Sequence, residues 1–327
     1  MSLKKYVATR TLQSLLTIWV IITVLFFMFR LMPGDFTQQM AQQGASQEAL
    51  EAVRERWGLN DPLHVQYFRY MKNLVQLDMG ESVVYRVDVW EHTRMRIFNT
   101  FILVAPGITV SYLLGGMIGT LMGNNRGGKL EKYGVLPLIA IGSVPAFFTG
   151  IFLIVIFSMT LDVFPTSGMI SPLTTMEYEA WWRPYLTVDF ASHYVLPFTV
   201  IVLRYTFFPA MLMRTSVVEV LGSGHMEFHR LSGIPRIRRL KHLAKHASLP
   251  LLTMYPMSMA RALGGLVLVE TVFNWPGIGF TVVKGVLQRD FPVVLFVFAI
   301  TGAFVVITNF LVDLLYGVVD PRISVEE

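Results

Sequence analysis

Cysteine is absent from this chain of 327 residues, and charged residues make up only 15% of it. The absence of cysteine excludes disulfide bonds and a thiolate nucleophile. The scarcity of charge, with a hydrophobic content of 54% and a mean hydropathy of +0.54, excludes a soluble domain of this length. Internal repeats and low-complexity segments are also lacking, so we interpret the chain as one membrane domain with an insertion.

Six apolar segments are present instead, each long enough to cross a hydrocarbon core, which takes about 20 helical residues. Helices are predicted because such a run satisfies its backbone groups in lipid as a helix. The first segment is too long for a signal peptide, and Met32-Pro33-Gly34 is not a small-residue cleavage site, so it is interpreted as an anchor. The predicted spans are Leu12–Met32, Thr100–Met122, Val135–Thr160, Tyr194–Met213, Leu249–Phe273 and Val293–Val318.

Basic residues predict the orientation, because short cytoplasmic loops carry an excess of lysine and arginine. The loops 123–134 and 214–248 are basic, whereas the segments 161–193 and 274–292 carry only Arg183, Lys284 and Arg289. Both termini are therefore expected in the cytoplasm, with the chain in the cytoplasmic (inner) membrane. These loops also account for the formal net charge of +5, and no nucleic-acid partner is expected.

The segment 34–96 is long enough to fold outside the membrane. Ser46 is placed to cap a helix that ends at Gly58, and Pro62 is placed to open a second helix. The second helix is expected to carry one apolar face, formed by Leu63, Tyr67, Tyr70 and Leu74.

Two motifs resemble nucleotide or metal sites but lack a required residue. Residues 123–130 nearly match a phosphate-binding P-loop, yet Leu130 stands where Ser or Thr must hold magnesium, and an apolar helix precedes it. The pairs His225/His229 and His242/His246 have helical spacing, but Glu227 is misplaced for a His-Glu-x-x-His zinc motif. We therefore expect a basic turn and a solvated or partner-facing loop, and no metal site.

The loop 214–248 is polar and helix-compatible, and Gly233-Ile234-Pro235 breaks it sharply. On charge alone it is an inside-positive connector. A short helix ending at Gly233, with a second helix from about Pro235 to Lys245, instead favours a segment that fits a groove on a soluble partner. Glycine is then required at position 233, either for a positive φ or for close approach to the partner.

The stretch Glu227-Phe228-His229-Arg230-Leu231-Ser232-Gly233 resembles the coupling loop of ABC importer permeases. The family form of that loop is Glu-Ala-Ala, three residues and Gly, with a proline at the start of the next span. Phe228 and His229 replace the two alanines, which implies a partner groove shaped for bulkier side chains. The resemblance assigns ATPase coupling to Glu227, Phe228, His229, Arg230, Gly233 and Pro235.

Further blocks resemble the dipeptide/oligopeptide/nickel branch of these permeases, and within it the first of the two permease subunits. They fall in order at residues 30–35, 57–62, 78–82, 143–148, 164–168, 270–279, 289–292 and 309–322. The resemblance implies structural roles for a set of residues in these blocks: Pro33, Gly34, Asp35, Pro276, Gly277, Gly279, Asn309, Asp313, Asp320, Pro321 and Arg322.

The resemblance implies an all-α type I ABC importer permease fold, with six transmembrane helices and a small helical external insertion between spans one and two. Residues 1–33 form the N-terminal tail and first span, 34–96 the extracytoplasmic insertion, 97–318 the permease core with coupling loop 214–248, and 319–327 a cytoplasmic tail. The implied partners are a second related permease in a heterodimer, two ATP-binding cassette subunits and an extracytoplasmic substrate-binding protein. An exposed aromatic set on the insertion is expected to help to dock that protein: Trp57, Tyr67 and Tyr70.

The chain is then not itself an enzyme and binds no cofactor, because ATP and magnesium belong to the ATPase subunits. Its implied substrate is a peptide or similar small solute, with nickel chelates and oligosaccharides as open alternatives. An ion-gradient-driven transporter would need inverted repeats and paired intramembrane carboxylates, but Glu270 and Asp313 lie towards opposite membrane faces. An intramembrane hydrolase would need a Ser–His pair, two aspartates or His-Glu-x-x-His at membrane depth.

Ionisable residues within spans are unfavourable unless they face protein or water, and Arg204, Arg261 and Glu270 are of this kind. Arg261 is the best candidate for lining the pathway, with an internal ion pair or carbonyl contact as the alternative. Asn309 and Asp313, four residues apart, are predicted to form a structural polar pair. The candidate pathway or gating residues are Arg261, Glu270, Pro145 and Phe147.

Small residues and prolines within the spans predict close packing and bending. Gly115, Gly116 and Gly119 place small residues on one helix surface for close packing. Prolines remove a backbone hydrogen bond and kink a helix, which gives pivots at Pro145, Pro197, Pro209 and Pro256.

Overall fold

Helices make up nearly all regular structure in the described residues, which confirms the all-α fold class. The computed structural model describes residues 3–31, 41, 46–58, 60–172, 180–224 and 232–319. A π-helical segment, Ile154–Thr160, continues the sixth α-helix, and a 3-10 helix covers Arg183–Leu186. The α-helices are α1 (Leu3–Arg30), α2 (Gln47–Trp57), α3 (Leu63–Val75), α4 (Val89–Asn124), α5 (Lys129–Ser143), α6 (Ala146–Leu153), α7 (Val188–Leu221), α8 (Arg236–Ala247), α9 (Leu249–Gly265), α10 (Val267–Val272), α11 (Ile278–Leu287) and α12 (Phe291–Val319).

Four helical stretches are long and apolar enough to cross a membrane: Lys5–Arg30, Val89–Asn124, Val188–Leu221 and Phe291–Leu311. They contain or overlap the predicted first, second, fourth and sixth spans. Val89–Asn124 and Val188–Leu221 extend beyond the predicted apolar runs at both ends, because the residues next to an apolar run continue the helix. The chain is therefore an integral membrane protein.

The predicted third span is not one straight helix. Lys129–Ser143 and Ala146–Thr160 are bent by 97° with respect to each other. Val144 is extended (φ −75°, ψ 133°), because the residue before a proline is pushed out of the helical region, and Pro145 then begins α6. Pro145, predicted as a pivot, stands at this bend.

The predicted fifth span is divided between α9 and α10. The two helices hold 17 and 6 residues, and each alone is too short for a hydrocarbon core of about 30 Å. The break at Leu266 follows Gly264 and Gly265, which have low helix propensity. The count of six spans remains a prediction.

The chain divides into two compact units, residues 1–99 with 277–327, and residues 100–276. In the first unit, α12 packs against both α1 and α11. The segment predicted as an external insertion shares the hydrophobic core of these helices, which is formed by Ile22, Phe26, Tyr70, Leu74, Met79, Val89, Ile278, Val293, Phe296, Val297 and Ala299. The boundaries of these units differ from those of the segments predicted from the sequence. The predicted boundaries were set by the membrane spans, whereas the units are set by packing.

The two helices predicted in the insertion are present, but the apolar face of α3 is rotated. Its buried residues are Gln66, Tyr70 and Leu74, whereas Leu63 is exposed. Gln66 tolerates burial because its amide donates to the Asp61 carbonyl at 2.6 Å and accepts a hydrogen bond from Arg30.

Tyr70 was predicted in the exposed aromatic set, and that prediction is wrong. The residue is 7% exposed, and its buried hydroxyl finds no hydrogen-bond partner within the described part of the chain. Burial raises the pKa of Tyr70 above that of a free phenol, because the charged form is disfavoured away from water. The Trp57 side chain lies outside the described residues.

In the second unit, α4 and α7 approach closely along a row of glycines. A Cβ atom on Gly107 would lie 2.7 Å from Ile201, and one on Gly115 would lie 2.8 Å from Pro209. Gly119 is equally tight, since its Cβ would lie 2.7 Å from that of Met213. Gly116 faces a different neighbour, the Leu251 side chain of α9. The predicted glycine surface is thus a real helix contact, as small residues allow in membranes.

Candidate functional site

Two exposed arginines lie on hydrophobic helices of the second unit. Arg204 stands at the midpoint of α7, and Arg261 lies on α9 within the predicted fifth span. The guanidinium carbon of Arg204 lies 5.9 Å from the centroid of the Tyr205 ring. A Cβ atom at Gly265, one helical turn after Arg261, would lie 3.5 Å from the Tyr205 hydroxyl, so the packing of α7 against α9 brings the two arginines to one surface.

Hydroxyl groups extend this surface. The Tyr255 hydroxyl lies 2.8 Å from that of Thr109, and the Tyr112 hydroxyl lies 2.6 Å from that of Ser258. The rings of Tyr112 and Tyr255 meet edge to face with their centroids 5.2 Å apart. We call this surface the arginine–tyrosine face, and it consists of Thr109, Arg204, Tyr205, Tyr255 and Arg261, whereas Tyr112 is buried.

Glu270, also predicted as a pathway residue, is not on that surface. It is 1% exposed and accepts a hydrogen bond of 2.6 Å from the Thr100 hydroxyl. Its backbone carbonyl accepts the N–H of Trp275 at 2.8 Å, which closes the turn after α10. These contacts support a structural role at the end of the broken helix.

Pro145 and Phe147 lie together at the start of α6. Phe147 is 37% exposed on this helix, directly after the 97° bend. Gly150, one turn further on, faces the Phe273 ring, and a Cβ atom there would lie 3.0 Å from it. The bend is therefore packed against the end of α10, and the gating role of Pro145 and Phe147 stays a prediction.

The coupling loop is described only in part, because Glu227, Phe228, His229 and Arg230 lie outside the described residues. Gly233 has a φ of +66°, the left-handed conformation predicted for it. Pro235 immediately precedes α8, whose bounds agree with the predicted second helix within two residues. Leu243 and Ala247 are buried, so this basic helix is anchored by its apolar residues to the second unit.

The turn that resembles a P-loop is a helix connection. It follows α4, and its Gly127 N–H donates to the Glu131 carboxylate at 2.6 Å. The same carboxylate accepts a hydrogen bond of 2.6 Å from Arg214 on α7. The backbone N–H of Gly127, which a phosphate would need, is thus occupied by an acidic side chain.

A buried carboxylate that the sequence reasoning missed joins two of the family-like blocks in the first unit. Asp290 is fully buried and accepts a hydrogen bond from the Ser82 hydroxyl, 208 residues away in the chain. Its oxygens also accept the backbone N–H groups of Val83 and Val84 at 3.3 and 3.4 Å. Both blocks, 78–82 and 289–292, were visible in the sequence, but nothing in either indicated the other as its partner.

A cavity of about 40 Å³ opens beside Asp290, lined also by His92, Arg96 and Lys284. Asp290 is the sole acidic residue among those that line it. The ring of Tyr85, another lining residue, stacks on the imidazole of His92 with 4.4 Å between centroids.

Two more blocks meet in the second unit. Gly168 has a φ of +91°, and its N–H donates to the Phe273 carbonyl at 2.7 Å. The loop after the π-helical segment is thereby tied to the end of α10. Next to that end, Trp275 is fully buried against Phe190 and Tyr194.

Asp313, predicted to form a polar pair with Asn309 on α12, contacts α1. Asp313 lies 3.6 Å from Arg10 of α1, and its backbone carbonyl accepts a hydrogen bond from Tyr6. Asn309 is exposed and forms no hydrogen bond with Asp313. An opposite charge on a neighbouring helix is a stronger partner for the carboxylate than a neutral amide one turn away.

The remaining structural residues fall partly outside the described chain. Gly277 precedes α11 and Gly279 is buried within its first turn, while Pro276 connects Trp275 to this helix. Three N-terminal and three C-terminal residues lie outside the described residues: Pro33, Gly34, Asp35, Asp320, Pro321 and Arg322.

Comparison with known proteins gives two matching family models. Residues 115–325 match the binding-protein-dependent transport system inner membrane component, and residues 3–85 match the N-terminal region of such membrane components. The chain belongs to this family. The resemblance to ABC importer permeases is thereby confirmed, and the chain is the membrane permease of such a system.

Individual members of the family are similar over almost the whole chain. The oligopeptide transport system permease protein AppB of Bacillus subtilis is 32% identical over 98% of this chain and 99% of its own. The glutathione transport system permease protein GsiC of Salmonella paratyphi A is 31% identical over 97% of this chain and 98% of its own. This permease family therefore covers both compact units.

Proposed function

We propose that this permease moves peptides across the inner membrane, as one of two related permease chains in an ATP-driven importer. The observation that carries this is the similarity over 97–98% of the chain to permeases named for oligopeptides and for glutathione, itself a peptide. Two ATP-binding cassette subunits bind ATP and magnesium, an extracytoplasmic protein delivers the substrate, and this chain performs no chemistry.

The mechanism follows from the coupling loop and the bends. Closure of the ATPases on ATP moves the segment Glu227–Gly233, and α8 transmits this movement because it is anchored to the second unit. The helices then pivot at their breaks, at Pro145 and Leu266, and the pathway changes from inward-facing to outward-facing. ATP hydrolysis resets the arrangement.

Peptide transport is tested with the reconstituted complex. Proteoliposomes that contain both permeases and the ATPases are expected to accumulate a labelled tripeptide only when ATP and the binding protein are both supplied. A complex in which the ATPase carries a catalytic substitution is the control. Accumulation driven by an ion gradient without ATP, or of a nickel chelate or oligosaccharide instead of the peptide, would contradict the proposal.

The orientation is tested at His64, an exposed residue at the start of α3. Because the chain has no cysteine, His64→Cys introduces a single thiol. A membrane-impermeant maleimide is expected to label this thiol in intact spheroplasts, since the proposed orientation has the segment 34–96 outside. A cysteine at Lys241 of α8 is the matched control and should be labelled only after lysis. The reverse pattern would overturn the assignment of the termini to the cytoplasm.

A further inference from the structure

The two arginines of the arginine–tyrosine face have no acidic partner within the described chain. Arg261 contacts the Met257 sulfur at 3.6 Å, and Arg204 lies over the Tyr205 ring. The ion pairs formed by the described residues involve other groups: Arg10, Arg54, Arg69, His193 and Arg214. The internal ion pair considered for Arg261 is therefore not found among these residues.

Unpaired arginines at these positions cannot face lipid without a large penalty. Arg204 stands at the midpoint of a 34-residue apolar helix and is too far from either end to reach the interface easily. Arg261 lies within the predicted fifth span, and both side chains are exposed. Ionisable side chains at such depth face water-filled cavities or protein. The arginine–tyrosine face is therefore directed to the pathway.

The space in front of this surface is open. Gly264 lies one helical turn after Arg261, and no atom of the described residues lies within 4 Å of the position that its Cβ would occupy. At Gly265 the Cβ position would be 3.5 Å from the Tyr205 hydroxyl. That hydroxyl forms no hydrogen bond within the described residues, whereas those of Tyr112 and Tyr255 are already engaged. Two guanidinium groups and one unused phenol thus border an open volume.

Such a set of groups is suited to one kind of ligand. A guanidinium group presents several N–H donors in a plane that matches a carboxylate, and a phenol adds another donor. The arginine–tyrosine face contains no acidic residue, so a cationic group would be repelled there. We propose that Arg204, Tyr205 and Arg261 form a transient binding site for the carboxylate of the passing solute, which for a peptide includes its C-terminal α-carboxylate. This inference rests on the proposed function.

The electrostatic part is tested without any transported solute. In the assembled complex, Gly264→Cys is expected to react faster with the anionic reagent sulfonatoethyl methanethiosulfonate than with its trimethylammonium counterpart. Replacing both arginines by glutamine should lower the ratio of these rates by roughly tenfold, since two nearby positive charges are lost. Arg126→Gln, on an exposed turn of the same unit, is the control and should leave the ratio unchanged. An unchanged ratio in the double variant, or no reaction of the introduced thiol with either reagent, overturns the proposal.

The recognition part is tested by transport. The probes are a tripeptide and its C-terminal amide, both shown to bind the binding protein. In the double variant Arg204→Gln/Arg261→Gln, the ratio of the transport rate of the free peptide to that of the amide should fall to about one. Stimulation of the ATPase by the amide should be retained. Equal losses for both peptides overturn carboxylate recognition. If this variant does not copurify with the second permease, the arginines pair with carboxylates of that subunit. That result would also overturn the proposed carboxylate site. A further outcome is that the unmodified complex transports neither peptide, while the ratio of the thiol reaction rates with the anionic and cationic reagents behaves as expected. In that case the proposed peptide function is wrong, but the preference of this site for anions is supported.

Discussion

Asp290→Ala is expected to lower the stability of the complex far more than the loss of an exposed carboxylate would. The substitution leaves the buried Ser82 hydroxyl, and the partly buried N–H groups of Val83 and Val84, without their acceptor. A buried unsatisfied group costs about 1–3 kcal/mol and a partly buried one less, so a loss of about 2 kcal/mol or more is expected. Arg96 and Lys284 also lose the one carboxylate that borders their cavity.

The measurement is the apparent thermal unfolding midpoint of the purified complex, which should fall by on the order of 5 °C or more. Asp290→Asn keeps one carbonyl acceptor and should fall between the unmodified protein and the alanine variant. Glu91→Ala removes an exposed carboxylate from the same unit and is the control for loss of charge. A midpoint for Asp290→Ala equal to that of Glu91→Ala would show that the buried hydrogen bonds contribute little.

The case of Asp290 also shows what the sequence could and could not predict. The helices α1, α4, α7 and α12 were predictable because hydropathy is a property of consecutive residues. The helices α2 and α8 were also predictable, because Ser46, Gly58 and Pro235 mark their ends in the sequence. Pairing across the chain has no such local signal, and the Ser82–Asp290 contact joins residues 208 positions apart.

Burial was the other limit. The pattern of α3 predicted a face through Leu63, but a glutamine fixed by Asp61 and Arg30 occupies the buried position instead. The sequence singled out Arg204 and Arg261 as residues that are unfavourable in lipid, yet the position of Tyr205 beside Gly265, one turn after Arg261, depends on the packing of α7 against α9. Proline likewise predicted a bend at residue 145, but not one of 97°.

The coupling loop gives the largest expected effect on function. Gly233→Val should leave the complex assembled, but transport should be lost and the ATPase activity should no longer respond to the loaded binding protein. At a φ of +66° the valine Cβ approaches its own backbone, which costs about 1–2 kcal/mol or more for a β-branched residue. This loop lies outside the membrane-spanning helices, whose insertion depends on apolar length and internal backbone bonding.

Gly233 allows the conformational effect to be separated from simple bulk. No atom of the described chain lies within 4 Å of the Cβ position at either Gly233 or Gly224, but only Gly233 of these two has a positive φ. Gly224→Val is therefore the matched control for size in the same loop and should retain stimulated ATPase activity. Gly233→Asn should restore much of the coupling, because asparagine tolerates the left-handed conformation. If the ATPase activity of Gly233→Val is still stimulated normally by the loaded binding protein, Gly233 has no role in coupling. If Gly233→Asn loses coupling as Gly233→Val does, glycine is required for close approach of the ATPase and not for the positive φ.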